Sequence, residues 1–120
     1  MQKLTKAEED IMQLIWEQAP CTVSQLIQGM AEPKPPHSSI SSIVRILEKK
    51  GFVDHKAYGR TYEYFSIISK HEYSKFSIKK LVSNYFEGSM NDLVSFLVKE
   101  DQVDIEDLSN LIENLEHQSK

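Results

Sequence analysis

The sequence predicts a mainly helical protein that carries one small β-hairpin. Two observations lead to this fold class. Apolar residues recur at helical spacing in several separate segments, and one stretch, residues 52–66, alternates in a period of two around a central glycine. The 120 residues include one cysteine and 40% hydrophobic residues. Folding therefore proceeds without an intrachain disulfide, and the apolar content suits one small domain or two very small ones.

Two capping boxes mark the starts of the first two helices. Thr5 stands three residues before Glu8, and Thr22 stands three before Gln25, so each pair can satisfy two helix N–H groups. The first helix is expected to end before Pro20, and the second before the proline-rich segment that follows it. The expected buried stripes are Ala7, Ile11, Leu14 and Ile15 in the first helix, and Val23, Leu26, Ile27 and Met30 in the second.

A third helix is expected between the prolines and Gly51. Ser38 and Ser39 are placed to cap its start, and Gly51 is the left-handed residue expected after its end. Its predicted buried stripe is Ile40, Ile43, Val44 and Leu47. The opposite face carries short polar or cationic side chains, namely Ser38, Ser39, Ser41, Ser42, Arg45 and Lys49.

The hairpin is expected to follow the third helix. Its predicted strands, 52–56 and 61–66, are joined by a four-residue loop in which Gly59 supplies a positive φ. Three short helices followed by such a hairpin predict a winged helix-turn-helix domain over residues 1–68.

Residues 69–120 predict a second domain of three short helices. Ser69 and Glu72 form a third capping box, another helix begins at Ser89, and the last begins near Asp104. These helices carry more large apolar side chains than they can bury alone, which predicts a dimerisation domain. The residues predicted to form the dimer surface are Tyr85, Phe86, Leu93, Phe96, Leu97, Leu108, Leu111, Ile112 and Leu115.

Positive charge is concentrated around the third helix and the hairpin, although the net charge of the chain is −4. Residues 34–60 hold six basic and two acidic side chains, whereas residues 67–120 hold six basic and ten acidic ones. A local excess of cations on a helix-turn-helix fold is typical of contact with DNA phosphates. The predicted base-reading residues are Ser38, Ser39, Ser41, Ser42 and Arg45, and the predicted backbone contacts are Lys34, Lys49, Lys56, Tyr58 and Arg60.

Other classes of function stay open at this point. The same fold could be a protein-protein interaction module whose basic patch docks an acidic partner and never touches DNA. Cys21 could belong to a redox sensor, although a small buried residue is the commoner role of a lone cysteine. Tyr62 and Tyr64 either stack on bases or pack within the hairpin, and their alternation favours packing.

Enzymatic and membrane functions are not predicted. The sequence shows no metal-ligand cluster, no phosphate-binding glycine loop and no nucleophile motif, so no metal, cofactor or catalytic activity is expected. It has neither a long apolar run nor the apolar core of a signal peptide, which predicts a cytoplasmic protein without membrane insertion.

A resemblance to a known family is carried by three segments, LTKAEEDIMQLIWEQAPCTVSQL at 4–26, SSISSIVRILEKKGFV at 38–53 and GRTYEY at 59–64. Together they resemble the penicillinase-repressor family of bacterial transcription regulators, the BlaI/MecI/CopY type, over nearly the whole chain. The resemblance implies an N-terminal winged helix, a C-terminal helical dimerisation domain, and a homodimer that represses transcription from a two-fold operator in double-stranded DNA.

The resemblance also implies a route of release. Resistance regulators of this family are cleaved at an Asn-Phe bond of the fifth helix under control of a membrane-bound sensor peptidase or its downstream protease. The aligned bond here joins Phe96 and Leu97, which makes it the candidate cleavage region. Copper-responsive members carry a C-terminal cysteine cluster that this sequence lacks. Ser39 and Ser42 replace the usual threonines and Ile46 replaces a frequent arginine, so base contacts are expected to differ.

Overall fold

The computed structural model of the protein describes residues 1–101, and this part of the chain contains five helices and one antiparallel hairpin. The predicted mainly helical class with a hairpin is confirmed. The elements are α1 (Lys6–Gln18), α2 (Val23–Gln28), α3 (His37–Lys49), β1 (Val53–Tyr58), β2 (Thr61–Ser66), α4 (Lys70–Tyr85) and α5 (Met90–Asp101). The predicted last helix near Asp104 lies outside the described residues. The chain divides into two compact units, with the division after Lys70.

No helix in the described part of the chain is long and apolar enough to cross a membrane.

Helix α1 begins as predicted and buries Ile11 and Ile15 of its predicted stripe, but not Ala7. Both hydrogen bonds of the Thr5–Glu8 capping box are present, at 3.1 and 3.2 Å. The buried residues of α1 are Glu8, Ile11, Met12 and Ile15, while Ala7 is exposed. The prediction of Ala7 in the core was wrong because the buried face of α1 includes Glu8 of the capping box and, one turn later, Met12.

The hairpin is tied to the helices through the short segment between α1 and α2. The Cys21 N–H donates to the Tyr64 carbonyl at 3.0 Å, and the Tyr64 N–H donates to the Cys21 carbonyl at 2.7 Å. The Trp16 indole N–H donates to the Ile68 carbonyl at 2.9 Å, which fixes the chain after β2 against α1. The hairpin therefore has a defined position on the helical core. That core contains Met12, Ile15, Cys21, Leu26, Val44, Leu47, Phe52 and Val53, all less than 2% exposed.

Helix α3 begins without the predicted serine cap. Its N-cap is Pro36, which makes no side-chain cap hydrogen bond, and the helix starts at His37. The Pro36 carbonyl accepts from the N–H groups of Ser39 and Ile40 at 3.1 and 3.4 Å. Ser38 and Ser39 therefore lie inside the first turn rather than before it, because the fixed φ of Pro36 already sets the entry into the helix.

Helix α3 ends as predicted, with a left-handed glycine. Gly51 has φ +84, and its N–H donates to the Glu48 carbonyl at 3.0 Å. The next N–H, of Phe52, donates to the Leu47 carbonyl at 2.9 Å. This pair of bonds is the Schellman motif, which turns the chain directly from α3 into β1.

The hairpin loop is shorter than predicted. The strands pair in register from Val53 opposite Ser66 to Tyr58 opposite Thr61, so only residues 59 and 60 form the turn. The four-residue loop was wrong because Ala57 and Tyr58 continue the ladder. Gly59 has φ +64 at the first turn position, where type II′ hairpin turns place glycine.

The second unit begins with two helices in the described residues. Tyr73, Val82 and Leu93 are its buried residues. Left-handed backbone follows the end of α4, with φ +52 at Glu87 and φ +81 at Gly88. The Ser89 hydroxyl then accepts from the Asp92 N–H at 3.2 Å and caps α5.

Candidate nucleic-acid interface

The polar face predicted for α3 is turned away from the core. Ile40, Val44 and Leu47 are buried, whereas Ser38, Ser39, Ser42 and Arg45 are exposed and Ser41 is half-buried. The Ser42 hydroxyl donates to the Ser38 carbonyl one turn earlier, at 2.9 Å, which leaves its lone pairs available to an external donor. The side chains predicted to read bases therefore lie together on one accessible surface of one helix.

The hairpin places three of the predicted backbone contacts near its turn. Lys56 and Tyr58 belong to β1, Arg60 is in the turn, and all three are exposed. The cross-strand partner of Lys56 is Glu63, which is half-buried. Lys49, at the end of α3, is also exposed. Lys49, Lys56 and Arg60 are therefore exposed cations at the end of α3 and in the hairpin.

Lys34 has a structural role that the sequence pattern did not indicate. Its ammonium group donates to the carbonyls of Ile27, Gln28 and Met30, at 3.1, 3.1 and 2.9 Å. These carbonyls end α2, where a cation is favoured by the helix dipole. All three ammonium N–H groups are used in this way. A phosphate contact by Lys34, which stays a prediction, would have to compete with these bonds.

A cavity of about 310 Å³ opens between α2, α3 and the hairpin. It is polar and rich in cations. Its lining residues are Thr22, Val23, Ser24, His37, Ser41, Arg45, Arg60, Thr61, Tyr62 and Tyr64. Burial raises the pKa of the Tyr64 phenol, and the charge of Glu48 raises it further, while the positive charge of Arg45 acts in the opposite direction. Arg45 and Tyr64 therefore both belong to the lining of this cavity.

A polar cluster joins the end of α3 to the hairpin, and sequence reasoning missed it. The His55 ring nitrogen Nδ1 contacts a carboxylate oxygen of Glu48, and the His55 ring stacks on Tyr62 with centroids 4.3 Å apart. Candidate ligand atoms of Glu48, Asp54 and His55 lie within 4.8 Å of one another. Each carboxylate already accepts a hydrogen bond, that of Asp54 from the His55 N–H at 2.8 Å. The cluster therefore anchors the hairpin to α3.

The two hairpin tyrosines behave differently. Tyr64 is buried, as its packing role predicts, whereas Tyr62 is 48% exposed and covers His55 with one face of its ring. Cys21 is buried, and burial raises the pKa of its thiol. A thiol in this state has little thiolate, so the structure favours the packing role for Cys21 over the redox role.

A partly buried ion pair links α1 to the residue that follows α3. The Lys50 ammonium donates to Glu8 Oε1 at 2.6 Å, and the two side chains are 21% and 9% exposed. The hydrogen bond from Lys50 is the largest of the influences that lower the pKa of the Glu8 carboxyl. Glu8 was expected only as a capping residue, and nothing in the local pattern indicates a partner 42 positions away.

An apolar surface on the second unit brings together the described part of the predicted dimer surface. Tyr85 and Phe96 are 75% and 50% exposed, and the rings of Phe86 and Phe96 lie 5.6 Å apart. A cavity of about 710 Å³ is lined by Leu81, Tyr85, Phe86, Leu93, Phe96 and Leu97. Leu81 was not predicted. The other predicted contacts, Leu108, Leu111, Ile112 and Leu115, lie outside the described residues.

Comparison with known proteins covers almost the full chain. The family described as Penicillinase repressor matches residues 4–117. The methicillin resistance regulatory protein MecI of Staphylococcus aureus strain N315 is 27% identical over 114 residues, which is 92% of this chain and 93% of that protein. The penicillinase repressor of Bacillus licheniformis is 22% identical over 116 residues, or 95% of this chain and 90% of that protein. The chain belongs to the penicillinase repressor family.

Proposed function

We propose that the protein is a homodimeric transcriptional repressor that binds double-stranded DNA with α3 in the major groove and the hairpin on the flanking backbone. The observation that carries the proposal is the exposed face of α3. In this helix, which the structure describes completely, the one carboxylate is that of Glu48, and it is held by His55 instead of facing the groove. The names of the similar proteins, a resistance regulatory protein and a repressor, support the same function.

The chemistry of α3 suits a base-reading helix. A helix about 10–12 Å across enters a major groove about 12 Å wide, and short side chains let its backbone approach the bases. The hydroxyls of Ser38 and Ser39 can each donate to or accept from base edges, and that of Ser42, which donates to the Ser38 carbonyl, can accept from them. Ile46, 42% exposed beside them, offers an apolar contact for a thymine methyl group.

The second unit supplies the dimerisation surface in this proposal. Its exposed apolar side chains, including Tyr85 and Phe96, would be covered by the same surface of a second copy. A two-fold dimer presents two α3 helices to successive major grooves, about 34–36 Å apart, and so requires an operator with two-fold symmetry. Release would follow from a sensor-linked signal that breaks the dimer. Cleavage between Phe96 and Leu97 is one candidate, and it would require local unwinding because the bond lies within α5.

A selection experiment tests the base-reading role. Full-length protein is incubated with a pool of random-sequence duplexes, and the bound fraction is enriched and sequenced. The proposal predicts two half-sites related by a dyad, with centres about 10 base pairs apart. A Ser39→Thr variant should change the preferred bases, since it adds a methyl group at the groove, whereas Lys56→Ala should weaken all sequences alike. Lys3→Ala, an exposed cation far from α3 in the sequence, serves as the control.

The alternative function is a protein-protein interaction module that docks an acidic partner on the same cations. It predicts no enriched duplex sequence from a folded protein. That outcome would replace the repressor by this alternative.

A further inference from the structure

The cavity between α3 and the hairpin combines two arginines from different elements. Arg45 lies on α3 and Arg60 in the hairpin turn, and both line the same space of about 310 Å³. The remaining polar lining consists of hydroxyl groups and His37. None of the lining residues in the described part of the chain is acidic. The cavity therefore has a net positive charge without an internal counter-ion.

This arrangement matches the chemistry of an oxyanion. Each guanidinium presents a rigid set of N–H donors that binds two oxygens of a phosphate at once, and hydroxyls such as that of Ser41 can donate to the remaining oxygens. Two guanidinium groups also repel each other in a shared space unless an anion lies between them. Glu48, whose charge raises the pKa of the lining residue Tyr64, contacts His55 and does not itself line the cavity.

We propose that this cavity is a binding site for one phosphate group, held between Arg45 and Arg60. The phosphate is either a phosphodiester of bound DNA or a free phosphate, and the first source rests on the proposed function. The proposal moves Arg45 from base reading, its predicted role, to recognition of a phosphate.

The salt dependence of DNA binding counts the phosphates that are contacted. Binding of the full-length protein to a random-sequence duplex is titrated at several chloride concentrations for wild type, Arg45→Gln, Arg60→Gln and the double variant. The logarithm of the binding constant K falls linearly with the logarithm of the salt concentration, and each phosphate neutralised makes this slope steeper by about 0.9. If both arginines hold one phosphate, either single variant weakens binding to the duplex by about tenfold. The double variant then binds only slightly more weakly than the single variant that binds more weakly. The slope then falls by about 0.9 in total.

The free-phosphate source has a separate readout. Inorganic phosphate is titrated into the protein without DNA at constant ionic strength, and the arginine side-chain N–H signals are followed by NMR. Saturable shifts that disappear in Arg45→Gln and Arg60→Gln identify a site for free phosphate. Lys3→Gln, which removes one exposed positive charge outside the cavity, should alter neither titration. Thermal unfolding of each variant shows that it is folded.

Each outcome decides the proposal. Saturable phosphate binding that needs both arginines supports the proposal and identifies free phosphate as a ligand of the cavity. Non-additive losses of duplex affinity, with no binding of free phosphate, support the proposal and identify a DNA phosphodiester as the ligand. Additive losses with a slope change of about 1.8, and no phosphate binding, overturn it because the arginines then contact separate phosphates. A wild type that binds no duplex refutes the proposed function, and the phosphate titration still tests the cavity by itself.

Discussion

The ion pair between Glu8 and Lys50 should make a large contribution to the stability of the first unit. The substitution Glu8→Gln tests this pair. Glutamine can still accept the hydrogen bond from the Thr5 N–H in the capping box, but it lacks the negative charge that Lys50 contacts. A hydrogen bond between charged groups contributes about 1.5–3 kcal/mol, and the low exposure of both side chains places this one within that range. We therefore expect Glu8→Gln to lower the free energy of unfolding by about 1.5–3 kcal/mol.

The assay can follow the first unit alone. The single tryptophan of the chain, Trp16, lies in α1, so urea denaturation followed by its fluorescence reports on this unit. Asp10→Asn is the matched control, because it breaks an ion pair with Lys6 in which the two side chains are 59% and 85% exposed, and a much smaller loss is expected. A Glu8→Gln variant that is destabilised no more than the control would show that the ion pair does not have this role. The same follows if the loss is unchanged in a Lys50→Met background, since a double-mutant cycle then shows no coupling.

The same pair predicts a pH dependence. The pKa of Glu8 in the folded protein is lowered from its ordinary value of 4.5, chiefly by the hydrogen bond from Lys50. The stability it contributes is therefore complete above the ordinary pKa and is lost as the pH falls through the lowered one. The difference between wild type and Glu8→Gln should be constant near neutral pH and should shrink below about pH 4.5. A difference that grows in acid would contradict this assignment.

Two further variants and one thiol-labelling experiment test individual features of the first unit. Lys34→Met removes the contacts to three carbonyls at the end of α2 and should lower the free energy of unfolding by about 0.5–1 kcal/mol. Lys3→Met is the control, and equal stabilities of the two variants would contradict the capping role of Lys34. Gly51→Ala places a side chain at φ +84 and should cost about 1–2 kcal/mol in urea unfolding, although nothing lies within 4 Å of the new carbon. The buried Cys21 thiol should react with a thiol reagent far more slowly in buffer than in urea, and a fast native reaction would show that it is accessible.

The elements set by local chemistry could be predicted from the sequence. The capping boxes at Thr5 and Thr22, and the left-handed glycines 51 and 59, depend on residues a few positions apart, and all four occur in the structure. The serine cap of α3 failed for a local reason as well, because Pro36 occupies the position from which a serine would act. A proline before a helix competes directly with a cap, and the pattern alone does not rank the two.

The features missed by the sequence depend on how separate elements and loops pack against one another. The pairing of Glu8 with Lys50 and the contact of His55 with Glu48 form only when α3 has packed between α1 and the hairpin. The cavity shared by Arg45 and Arg60 has the same origin, since the residues lie on separate elements. The position of Lys34 over the end of α2 depends on the path of the proline-rich loop. Counting charges along the chain located the cationic region but could not distinguish cations that face solvent from those already engaged.

The most direct test of the repressor account is a titration of the full-length protein against duplex DNA, combined with sedimentation to give the stoichiometry. A genomic fragment that contains a dyad and a random-sequence duplex of equal length are compared at several salt concentrations. The account predicts one dimer per dyad, tighter binding to the dyad than to the random duplex, and a linear fall of log K with log salt of about 0.9 per phosphate contacted. A folded protein that binds neither duplex at low salt would contradict it.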